Sequence, residues 1–325
     1  MATPSEARRA TLLLLVMPLF FSSNLVIARA MGDAVPPFTL ALLRWGVAVL
    51  ILLPFTIDGL RQSAALLAVH WRRIALLGFL GMWICGAGVY WALGLTTATN
   101  GTLIYTTSPI LVLLIERLAY GKALPWIRLA GVLVAMTGVA VIVLKGDPSA
   151  LARLDLNLGD LGIAAAALAW AIYSLVLRND GLARLPTMPL FTAIAIAGVA
   201  TLAPFSAAEL AMDGGSPRTA WDWAGVLGLA LFSAVGAFSL YQYGVKIVGP
   251  QVTSCFLYLL PVYGVGMSVL FLGEALHPHH LLGMALVLGG LVAATVPQDL
   301  VTVARGALKR KFAVPGSGSP PSSTP

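Results

Sequence analysis

Among the polar and aromatic side chains inside the long apolar stretches of this 325-residue chain, ten are candidates for contact with a solute, in no arrangement suited to breaking bonds. Ser23 and Asn24 lie in the first stretch, Tyr90 in the third, and Asn100 and Tyr105 in the fourth. Trp170 and Tyr173 lie in the sixth, Tyr241 and Gln242 in the eighth, and Tyr258 in the ninth. In hydrocarbon, Asn, Gln and Tyr need hydrogen-bond partners or water. The chemistry open to these groups is recognition of a small solute. Ser23, Asn24, Asn100 and Gln242 can bond its polar groups. Trp170, Tyr90 and Tyr258 can stack on or cover its apolar part.

Bond-making chemistry has no comparable support. The chain has no P-loop, nucleophile elbow or metal-ligand spacing, so no catalysis, cofactor or metal is expected. Cys85 and Cys255 read as small apolar packing residues. His279 and His280 are adjacent rather than one helical turn apart, and with His277 and Glu274 they read as a solvated loop. Arg44 lies about seven residues into the second stretch. A charge there is either functional or a snorkelling or helix-pairing arginine near the outer interface, and the second is the preferred reading. Glu116, beside Arg117, reads as half of a surface pair.

The elements that must position these groups follow from composition. The chain is 59% hydrophobic and 10% charged, with a mean hydropathy of +0.91. A soluble domain carries about 25% charge, so this is an integral membrane protein. Its net charge of +7 marks cytoplasmic loops rather than a nucleic-acid surface. A spanning helix needs about 20 apolar residues, which predicts ten: 10–31, 37–57, 73–95, 100–119, 125–144, 159–178, 187–208, 222–245, 251–272 and 279–297. Arg8-Arg9, the run Thr11 to Phe21 and Ala28-Arg29-Ala30 mimic a cleaved leader. The run is needed as the first span and is read as uncleaved. With the N-terminus cytoplasmic, fifteen of the 20 Lys and Arg residues fall on the cytoplasmic side. Arg29, Lys145, Arg153 and Arg218 fall opposite, which predicts that both termini are cytoplasmic. The first, third, fourth, sixth, eighth and ninth spans hold the polar groups and should line a wet cavity. The second, fifth, seventh and tenth are poorer in them.

The chain also repeats. Pro109 and Pro261, Gly121 and Gly273, Leu124 and Leu276, Gly131 and Gly283, and Gly138 and Gly290 all lie 152 residues apart. Five spans per copy is an odd number, so the copies must be inverted in the membrane, as in alternating-access carriers. The expected fold class is an all-α integral membrane protein of ten transmembrane helices in two inverted five-helix repeats. The organisation is 1–144, a connector 145–158, a second repeat 159–297, and a basic then disordered tail 298–325. Pro109 and Pro261 free a backbone carbonyl at matched places and are candidate hinges. The paired glycines serve close helix packing, within a monomer or a homodimer.

These features resemble the drug/metabolite transporter superfamily, EamA type. The resemblance rests on residues 22–29, on 37–45, which end in Arg44-Trp45, and on Pro109 to Val143 and Pro261 to Thr295. It covers essentially all of 10–297. The chain also resembles the YddG-like amino-acid exporter branch. It departs from the family pattern in having Gly121-Lys122 where the second repeat has Gly273-Glu274, and Phe20-Phe21 where many members have Trp. The resemblance implies an inner-membrane carrier exporting small organic metabolites, with amino acids, including aromatic ones, as the first expectation. Another neutral or cationic drug or metabolite is the alternative cargo, and a channel the alternative mechanism. The expected partners are a small-molecule substrate and membrane lipid, without nucleic acid.

Overall fold

In the computed structural model the chain is a helical bundle, described over residues 3–31, 35–153, 156–213, 215–272 and 275–295. Its main helices are α1 (Pro4–Met31), α2 (Pro37–Gln62), α3 (Trp71–Leu93), α4 (Thr99–Tyr120) and α5 (Trp126–Val143). They continue as α6 (Leu158–Leu177), α7 (Thr187–Asp213), α8 (Ala220–Ile247), α9 (250–272) and α10 (Pro278–Thr295). Among the described residues, eight helices, α2 to α8 and α10, are long and apolar enough to cross a membrane. The two other predicted spans fall on α1, of 28 residues, and on α9, which is built in three pieces. No strand occurs among the described residues. Gly273-Glu274 and the tail beyond Thr295 lie outside them, as do the side chains of Arg29 and Arg153.

Local sequence sets the helix ends. Asn157 and Asp160 form a capping box at the start of α6, and Thr219 and Asp222 form one at α8. Gly121 closes α4 in the left-handed region at φ 61°, where a side chain would be strained. Successive helices reverse direction. The start of α1 and the end of α10 therefore share one end of the bundle, the terminus end, and the α1–α2 connection lies at the far end.

Four helices depart from the regular spans that apolar runs predict. α4 is interrupted at Thr106-Thr107, whose hydroxyls turn back onto the carbonyls of Leu103 and Ile104 at 2.7 Å each. Pro109 then opens the second piece, where a missing N–H costs nothing. α9 is interrupted by a 3₁₀ turn at Phe256–Leu259, and Pro261 follows it at the matched place. α3 and α8 each contain a π-helical stretch, Phe79–Gly88 and Leu229–Ala237. The two stretches occupy corresponding positions. Gly78 and Gly228 precede them by one residue, and Gly86 and Gly236 lie within them.

The two halves meet through equivalent helices. In the α5–α10 pair a Cβ at Gly131 would stand 2.7 Å from the Gly290 carbonyl oxygen, and one at Gly138 would stand 2.6 Å from that of Gly283. The earlier glycine of one helix faces the later glycine of the other, so the helices are antiparallel. The α2–α7 pair behaves likewise. Glu209 accepts from the backbone N–H of Phe38 (3.1 Å) and Thr39 (2.7 Å), Thr56 bonds Thr192 at 3.1 Å, and Gly59 touches Pro189. Antiparallel packing of equivalent helices is the geometry of an inverted duplication.

Candidate functional site

A cavity of about 160 Å³ lies among α1, α2, α3, α4, α6, α8 and α9. Its walls carry Asn24, Arg44, Cys85, Tyr105, Trp170 and Ser233, and apolar groups such as Phe21, Phe238 and Leu257 complete it. Six of these helices are the ones marked by their polar content. The seventh, α2, enters through Arg44 alone. α5, α7 and α10 contribute no lining residue. The irregular helices supply much of the wall. Cys85 and Ser233 sit in the two π-helical stretches, Tyr105 ends the first piece of α4, and Leu257 sits in the 3₁₀ turn of α9. Such irregularities recur at functional sites because they redirect side chains and free backbone groups.

Arg44 is 2% exposed and does not snorkel. Seven residues into α2 it stands about 10 Å along the axis from the helix start, and its guanidinium turns into the bundle. Nη1 donates to the Tyr90 hydroxyl at 2.8 Å and to Asn24 Oδ1 at 3.3 Å, and Tyr90 in turn donates to Asn24 Oδ1 at 2.6 Å. The guanidinium carbon lies 4.9 Å from the Trp45 ring centroid and 5.6 Å from that of Tyr90, within cation–π range. Its Nε has no hydrogen-bond partner.

The other predicted residues distribute around this core. Trp170 stacks on Tyr173 at 5.4 Å and meets Phe21, Phe238 and Tyr241 edge-on or tilted. Tyr173 accepts from Gln242 Nε2 at 3.0 Å, and the Tyr241 hydroxyl is 2.6 Å from Ser174 Oγ. This layer is buried. Tyr258 is fully buried in the 3₁₀ turn, and its hydroxyl has no partner. Two candidates stand apart. Ser23 donates to the Phe20 carbonyl of its own helix at 2.7 Å, and Asn100 donates to Asp160 at 3.1 Å in the far-end cluster that caps α6. Neither lines the cavity, and of the ten predicted residues only Asn24, Tyr105 and Trp170 do; Tyr90, Tyr173, Tyr241, Gln242 and Tyr258 lie behind or beside that lining. A serine in a helix has a carbonyl in reach, and Asn100 sits too near the end of α4 to reach mid-bundle. Ser233, which the sequence did not single out, lines the cavity with a buried hydroxyl that lacks a partner.

The terminus end is held across the two halves. Glu116, 1% exposed, pairs with Lys122 Nζ at 2.5 Å and lies 3.9 Å from Arg178 Nη1, so it is not the surface partner of Arg117. Arg128 bonds the Gln251 side-chain oxygen and Arg73 donates to Asn179 at 2.8 Å. Among the described residues, no group of three His, Cys, Asp or Glu could hold a metal.

The duplicated helical bundle, with a small and mainly apolar cavity that carries a few polar groups, is that of a membrane transporter. The chain belongs to the EamA-like transporter family, within the drug/metabolite transporter superfamily: the family model matches residues 8–144 and again 157–296. It is 27% identical over 276 residues to the uncharacterized transporter YetK of Bacillus subtilis, covering 84% of this chain and 83% of that protein. It is 27% identical over 275 residues to a probable terminal-alkyne amino-acid exporter of Streptantibioticus cattleyicolor, covering 80% and 88%. A crystal structure superposes with a TM-score of 0.70 at 22% identity over 88% of this chain and 97% of that one, a likeness of fold.

Proposed function

We propose that this chain is an inner-membrane carrier that exports amino acids, aromatic ones included, by alternating access, with both termini cytoplasmic. The observation that carries this reading is the central cavity. Both halves build it, it is sized for a small molecule, and the buried rings of Tyr173 and Tyr241 pack against its Trp170 wall. The amino-acid exporter among the relatives supports the cargo class. Asn24, Arg44 and Ser233 offer polar contacts, while Trp170 and Tyr105 offer aromatic faces. A cationic drug would meet the charge of Arg44, which favours a zwitterion over that alternative. Pro109 and Pro261, at matched breaks, serve as the hinges.

Counterflow in proteoliposomes tests this reading. Vesicles preloaded with an unlabelled L-amino acid should accumulate the labelled one transiently and saturably. Flux that is linear in concentration, with no trans-stimulation, would favour a channel. An absence of flux for every amino acid would remove the cargo assignment.

A further inference from the structure

Arg44 is a buried cation without a counter-charge. Among the described residues it makes no salt bridge. Its polar contacts are neutral oxygens, and all of them are made by Nη1. Nε and Nη2 form the other edge of the guanidinium. Nε is buried and unpartnered, and no hydrogen bond is made from Nη2. That edge offers two parallel N–H donors, the arrangement that matches a carboxylate with two hydrogen bonds. The residue lines the cavity, and because Nε is enclosed, with Nη2 beside Gly86, the guanidinium must turn for this edge to meet an entering solute. Tyr90 and Asn24 hold the Nη1 side, and Trp45 lies against the plane at 4.9 Å. A charge this enclosed gains most from an anion that enters with its own charge exposed.

We infer that Arg44 is the residue that selects the cargo, by taking the carboxylate of the transported molecule on its Nε–Nη2 edge. Tyr90 and Asn24 are its positioning residues. This rests on the carrier reading above and adds to it the chemical group recognised and the residue that recognises it. It also places recognition on α2, the one cavity helix that polar content does not mark.

The test compares acids with their primary amides. The purified full chain is melted in detergent with L-amino acids and with the corresponding L-amino-acid amides, which keep the side chain and amine but lack the carboxylate. The acids should bind at least tenfold more tightly than the amides. Arg44→Gln should bring the two within about threefold, and Arg44→Lys should restore part of the preference. Equal binding of acid and amide to the unmodified protein overturns the inference and needs no variant to fold. A preference that survives in Arg44→Gln overturns it too. If neither series shifts the melt, the amino-acid reading fails, and acetate and benzoate against acetamide and benzamide then decide the inference separately. An Arg44-dependent preference for the carboxylates upholds it, and no preference overturns it.

Discussion

Glu116 on α4 faces Arg178 at the end of α6 at 3.9 Å, across the boundary between the two halves of the molecule. Its Oε1 also meets Lys122 at 2.5 Å, and the carboxylate is 2% exposed while both cations remain at least 40% exposed. The carboxylate gains from both cations, whereas the cations retain water if it is lost. Glu116→Gln should therefore loosen the terminus end without unfolding the protein. Hydrogen–deuterium exchange of peptides covering 112–122 and 174–185 should speed up severalfold, with the far end unchanged. Unchanged exchange would mean that the pair does not hold this end closed.

The glycines of α10 offer a controlled pair. A Cβ at Gly290 would stand 2.4 Å from the Ala135 backbone nitrogen and 2.5 Å from the Gly131 carbonyl oxygen, while one at Gly289 meets nothing within 4 Å. Backbone cannot yield as a side chain can. Gly290→Ala should cost about 1–3 kcal/mol and lower the melting temperature by several degrees. Gly289→Ala should be neutral or slightly stabilising. Equal melts for the two would show that the helices separate freely.

Trp170 and Ser233 line the same cavity but should respond differently to truncation. Trp170 is 2% exposed and touches four aromatic rings, so Trp170→Ala should lose about 3–5 kcal/mol of stability along with transport. Its effect on transport alone is therefore ambiguous. Ser233 has no partner to lose. Ser233→Ala should melt within about 0.5 kcal/mol of the parent. Its KM in counterflow should rise about fivefold, the equivalent of a net hydrogen bond of about 1 kcal/mol. An unchanged KM would place the substrate elsewhere in the cavity.

Pro109 and Pro261 stand just after the two helix breaks. If the breaks flex during transport, Pro109→Ala with Pro261→Ala should lower the maximal rate about tenfold and leave KM within twofold. A changed KM at constant rate would instead mark the breaks as fixed parts of the binding wall.

Much of this arrangement was legible in the sequence, and the exceptions have physical reasons. The spacing of Gly131, Gly138, Gly283 and Gly290 carries the duplication, and the structure brings those residues into contact. The polar content of α1, α3, α4, α6, α8 and α9 marked the cavity helices because hydrocarbon penalises unpaired polar groups. For Arg44, chain position gives the distance from a helix end and not the direction of the side chain, which does not snorkel but joins α2 to Asn24 on α1 and Tyr90 on α3. Glu116 was assigned to its neighbour Arg117, whereas its cations come from Lys122, past a left-handed turn, and from Arg178 on another helix. The π-helical stretches leave no mark in an apolar count. The glycines matched there, Gly78 with Gly228 and Gly86 with Gly236, fit close helix packing equally well and so do not signal a π-helix. Ser233 lay unremarked because a serine in a membrane helix usually bonds its own backbone, and this one does not.

The antiparallel pairs also bear on biogenesis. When the first five helices emerge from the ribosome, the partners of α2 and α5 have not been made. The first turn of α2 lacks Glu209, which later receives the N–H groups of Phe38 and Thr39. The glycine groove of α5 lacks the backbone that fills it. The nascent half is thus an unfinished surface, and its assembly waits on about 150 further residues. An early stop or a failed second insertion would leave exposed grooves rather than a working half-molecule, a natural substrate for membrane quality control.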